Sequence, residues 1–134
     1  MPQRMLDLLS AGIAVVLVRI ALWTLPSRVV LRLVAGVVSR AHRAEEITPA
    51  VRRVGRSVRT VSRRVPQATC LTQALAAQVL LAASGYSSTL QIGVALDQRR
   101  RLVAHAWVEV CGRVLVGGRG VGAYHALPDL RSKL

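Results

Sequence analysis

The chain has 134 residues, 52% of them hydrophobic, which excludes a disordered protein and leaves room for one sizeable domain. Nineteen Lys and Arg against six Asp and Glu give a formal net charge of +13, and Lys133 is the only lysine. Two cysteines exclude a disulfide-dense scaffold but leave one Cys70–Cys111 bridge open, and the lack of CxxC or HExxH spacing argues against a metal centre. The positive charge favours anionic surfaces or acidic peptides. Because the arginines accompany a chain-wide bias toward Ala, Val, Leu and Gly, they are weak grounds for a nucleic-acid partner, and none is expected.

Residues 5 to about 24 read as a strongly apolar helix broken near Pro26. Its uncharged run, Leu8 to Val18, stops at Arg19, short of the about 20 apolar residues a spanning helix needs. Asp7, and the lack of a small-x-small site after Val18, argue against a secretion signal. The expectation is a buried or surface-docked helix in a cytoplasmic protein that is at most peripheral to a membrane. Ser27 is placed as the cap of a second helix to about His42, with Val29, Val30, Leu33, Val34, Val37 and Val38 on one side, and Ala41 to Ile47 as a polar connection. Thr48 followed by Pro49 starts a third helix. There Val51, Val54, Val58, Val61 and Val65 form a helical stripe, Arg52, Arg53, Arg56, Arg59, Arg63 and Arg64 fill the remaining surface, and Pro66 ends the helix. A fourth runs from Cys70, capped by Thr69, to Ser84, with Gly85 as its stop.

Beyond Gly85 the period changes to two. Leu90, Ile92, Val94 and Leu96 alternate as a strand, residues 97–100 turn, Leu102 to Cys111 form a second strand, and Val114 to Val116 begin a third after Gly112. The glycine-rich GGRGVGAYHALPDL that follows is expected to be irregular. Helices followed by an antiparallel meander predict an α+β fold. Residues 1–134 form a single domain, with a helical part over 1–66 and a core over 67–134 in which the Cys70 helix packs on a small sheet.

Cys70 in the first turn of a helix lies where unpaired N–H groups and the positive helix end favour a thiolate and can line an oxyanion hole. The structural alternative is a small buried hydrophobe. His105 shares one strand face with Val103, Trp107, Glu109 and Cys111, and the aliphatic residues share the other. Alone it reads as a half-exposed histidine; with a helix-start cysteine it completes a thiol nucleophile and general base. Cys111, six residues farther along, lies roughly 20 Å from His105 at about 3.3 Å per residue and cannot use that base. His42 and His125 occupy polar, loop-like contexts without a supporting pattern.

ATCLTQALAAQVLLAASGY, LQIGVAL and AHAWVEVCGRVLVGG together resemble the leader peptidases of lasso-peptide biosynthesis, within the transglutaminase-like cysteine peptidases. The resemblance is dense over residues 60 to 120 and implies a transglutaminase/papain-like core with Cys70 as nucleophile and His105 as base. It implies a ribosomally made precursor as substrate, a lasso cyclase acting on the product and no cofactor. In the wider class an Asp on the next strand orients the imidazole, but Gly117 and Gly118 stand there in this chain. Glu109, Asp129, a backbone carbonyl or an unsupported dyad all stay open for that role. No strand-like run precedes Ser88, so the leader-binding module of related systems is expected to act in trans, docking on the apolar N-terminus or the arginine helix. An acyl transferase with the same site, and a basic module binding membranes or nucleic acid through the arginine helix, are the alternatives.

Overall fold

A computed structural model describes residues 2–43, 46–64, 69–117 and 125–126. Helices α1 (Pro2–Thr24), α2 (Ser27–Ser39), α3 (Pro49–Ser62) and α4 (Cys70–Ala83) precede most of the strands. These are β1 (His42–Arg43), β2 (Tyr86–Ser87), β3 (Thr89–Leu96), β4 (Leu102–Val110), β5 (Arg113–Val116) and β6 (His125–Ala126). The main sheet has the order β5-β4-β3-β6, antiparallel throughout, so the chain is α+β as expected.

Local chemistry sets the helix limits. The Thr48 hydroxyl accepts from the Val51 N–H with Pro49 next to it, and the Thr69 hydroxyl accepts from the Thr72 N–H at 3.1 Å. Gly85 stops α4 by adopting φ +91°, a conformation without penalty only for glycine. The α2 cap differs from expectation: Pro26 holds the N-cap position and Ser27 is the first helical residue. That helix ends at Ser39 rather than at His42, and only Val30, Val34 and Val38 of its apolar side are buried. Val29, Leu33 and Val37 face outward. Val65 and Pro66 lie outside the described residues.

One core joins Val51 and Val58 of α3, Ala74, Ala77 and Leu81 of α4, and Ala106, Val108, Val110 and Val116 of the sheet. A second joins Ala14, Val15 and Val18 of α1, Val30, Val34 and Val38 of α2, and Leu75 and Ala76 of α4. Helix α4 is common to both and is covered on two sides. Its alanines let the neighbouring helices approach closely, which is why so small an aliphatic core closes.

Two short strands depart from the sequence reading. His42–Arg43, placed in a polar connection, pairs in parallel with Tyr86–Ser87, and His125–Ala126, placed in the irregular tail, pairs with Gly93–Val94 of β3. Two-residue ladders carry no periodicity, so pattern reading has no hold on them. The α1 helix also differs. It runs unbroken from Pro2, and residues 3–24 are long and apolar enough to cross a membrane by length and composition, because Arg19 does not interrupt the helix. Its inner face, Ala11, Ala14, Val15 and Val18, is buried in the protein core.

Candidate active site

Cys70 is the first residue of α4 and half-buried, packed against the core that contains Ala106. The Thr69 cap fixes this turn: its hydroxyl also lies 2.9 Å from that of the fully buried Thr72. The cap engages the Thr72 N–H, leaving the Cys70 and Leu71 N–H groups outside that bond.

Helix α4 is tied to the sheet by Gln78, whose buried amide donates to the Ser88 carbonyl at 3.3 Å. The core against which Cys70 packs includes Ala106, the residue after His105 on β4.

The pleat of β4 sorts these side chains. Ala106, Val108 and Val110 face the helices, while His105, Trp107 and Glu109 share the opposite face. The structure therefore packs Cys70 with the core on the helix side of β4, while the His105 side chain leaves β4 on the opposite face. The Cys70 sulfur makes no hydrogen bond among the described residues. Catalytic hydrogen bonds are often long in unliganded enzymes and tighten with substrate.

His105 is part-buried, and its Nε2 lies 2.8 Å from the carbonyl oxygen of Gly117. Its ring stacks on Trp107, with centroids 6.0 Å apart and planes 26° from parallel. Trp107 is 3% exposed and donates its Nε1–H to Glu109 Oε1 at 3.1 Å. Glu109, a candidate orienter, thus holds the tryptophan whose ring stacks on the histidine. Asp129 lies outside the described residues.

Gly117 was legible only as the place where an Asp is missing. Its φ is +84°, and a Cβ there would stand 2.9 Å from the Ala106 carbonyl oxygen and 3.1 Å from Trp107 Cβ. Glycine alone fits this close approach, and the approach brings its carbonyl to His105. Paired glycines beside the histidine strand were the available signal, but a backbone acceptor has no sequence letter.

Cys111 departs from the strand-end position expected for it. With φ +54° beside Gly112 at +74°, it occupies the first corner of a tight hairpin turn and is exposed. Neither cysteine is in a disulfide, which closes the question of a Cys70–Cys111 bridge in this structure. Among the described residues no group of three His, Cys, Asp or Glu side chains is arranged to hold a metal.

A family model described as the transglutaminase-like superfamily matches residues 13–129. No curated protein and no solved structure matches the chain.

Proposed function

The chain belongs to the transglutaminase-like superfamily, and from that membership we propose that it is a cysteine peptidase that removes the leader from a ribosomally made lasso-peptide precursor. The single observation that supports the chemistry is the place of Cys70: first residue of a Thr69-capped helix, packed against the core that contains Ala106, the neighbour of His105.

In this reading His105 takes the thiol proton and the Cys70 sulfur attacks the scissile carbonyl. The Cys70 N–H at the helix start donates to the oxyanion. Protonated His105 gives its proton to the leaving amine, and water, deprotonated by the same ring, resolves the thioester. Closing the Cys70–His105 pair requires the imidazole or the first turn of α4 to shift when substrate binds. The freed core peptide then passes to a separate lasso cyclase. The leader is presented by a recognition protein in trans, and the exposed arginine face of α3 (Arg52, Arg53, Arg56, Arg59) is the docking surface whose charge suits an acidic leader or its carrier.

An acyl transferase shares every step up to the thioester and differs in taking an amine instead of water as acceptor. Mass analysis of the products separates the two. The deciding experiment incubates the chain with precursor and recognition protein: cleavage at one bond, lost in Cys70→Ala, supports the peptidase. A mass gain from an amine acceptor supports the transferase, and cleavage by Cys70→Ala sinks both.

A further inference from the structure

The outward face of α1 carries Met5, Leu6, Leu9, Ile13, Val16, Leu17, Ile20 and Trp23, all exposed, and Trp23 is 77% exposed. The inner faces of α1 and α2 are buried together against α4, so their outer faces both point away from the body of the protein. On α2 that outer face adds Val29, Leu33 and Val37. An apolar surface this continuous exceeds what a monomer in water ordinarily shows.

Its charge is of one sign. Arg4, Arg28 and Arg32 are exposed on the same two helices and Arg40 at the end of α2, and the Arg19 guanidinium lies 5.5 Å from the centre of the Trp23 ring. The one acidic residue of α1, Asp7, is turned to Arg53 of α3 at 3.7 Å. Arg28 and Arg32 form the stripe next to Val29 and Leu33 at helical spacing.

We infer that this helical hairpin lies in the plane of an anionic phospholipid surface, the apolar face in the acyl boundary and the arginines at the phosphates. The basic rim selects this occupant. A second copy would bring two like-charged rims together on chains of +13 each. A bilayer supplies apolar chains and phosphate in the order this surface requires, and an apolar face combined with several arginines gives the two signals that stable membrane attachment needs. Crossing the bilayer is disfavoured, because Ala11, Ala14, Val15 and Val18 would have to leave the core they share with α3 and α4.

The test is flotation of the full chain with phosphatidylcholine vesicles, alone or with about 30% phosphatidylglycerol, at low and high salt. Binding to the anionic vesicles at least about tenfold tighter than to neutral ones, weakened by salt, is the expected result. Because Trp107 is buried and Trp23 exposed, a blue shift of tryptophan emission on binding reports Trp23 entering the interface. The variant Leu9→Glu/Ile13→Glu/Leu17→Glu alters only exposed positions, so helical content is retained while flotation is lost. Absence of flotation overturns the inference, as does flotation that survives in the triple variant or is equal on neutral vesicles. A wild-type dimer that ignores vesicles and dissociates in that variant overturns it too, assigning the face to a second copy.

Discussion

The carbonyl oxygen of Gly117 stands 2.8 Å from Nε2 of His105, so the imidazole is held by a main-chain acceptor. A carbonyl cannot donate, hence Nε2 is the donor in this contact and carries a proton. The expected NMR pattern for His105 is a protonated Nε2, assigned by comparison with His105→Gln. An unprotonated Nε2 in the folded protein rules the arrangement out. Gly117→Ala, which strains φ and crowds the Ala106 carbonyl, should loosen this preference and slow catalysis by at least about tenfold.

Cys70→Ala should abolish cleavage, and removal of the Cys111 thiol should not. Exposure works against Cys70 here: a simple alkylating reagent meets exposed Cys111 more readily than half-buried Cys70. A peptide-directed electrophile should nonetheless modify Cys70, because only there do first-turn N–H groups of a helix offer donors to the carbonyl under attack. Peptide mapping after inactivation decides, and loss of activity with Cys111 alone modified would exclude Cys70.

His105→Ala should reduce cleavage by about 10²–10⁴-fold, the usual contribution of a general base. Thermal stability should fall little, since Ala106, Val108 and Val110 on the other face still hold β4 to the helices. Near-normal turnover by the folded variant would take His105 out of the mechanism.

Gly55 of α3 faces Leu115 of β5 so closely that a Cβ would lie 2.9 Å from Leu115 Cγ. Overpacking of this kind costs about 1–3 kcal/mol, while Gly→Ala in a helix gains at most about 1 kcal/mol. Gly55→Ala should therefore be destabilising in chemical denaturation. In a Leu115→Ala background the clash is gone, and the same substitution should become stabilising. Destabilisation of equal size in both backgrounds would mean that Leu115 is not the cause.

The elements that sequence made legible are those with a repeating pattern or a stop signal. Thr48, Thr69 and Gly85 bound their helices as capping chemistry requires, and the alternation from Leu102 to Val110 yields a strand with its aliphatic face on the helices. What was not legible depends on contacts between distant segments. The Val29–Leu33–Val37 stripe is as apolar as Val30–Val34–Val38, and only the position of α4 decides which is buried. Cys70 and His105 are readable as two residue types on two elements, but which side of β4 each side chain takes depends on register and on where the helices sit. Partnership between His105 and Gly117 escaped because the acceptor is backbone.

Ala74, Leu75, Ala76, Ala77 and Leu81 of α4 have no exposed surface at all, and neighbours cover this helix from both cores. Its amides can reach solvent deuterium only when most of the molecule opens, so the helix that begins with Cys70 should exchange last. The outward half of α1 has no such cover and should exchange far sooner. Fluctuations that admit substrate are then confined to the rim of the fold and the half-buried first turn of α4, while the buried stretch from Ala74 to Leu81 stays fixed until most of the domain opens.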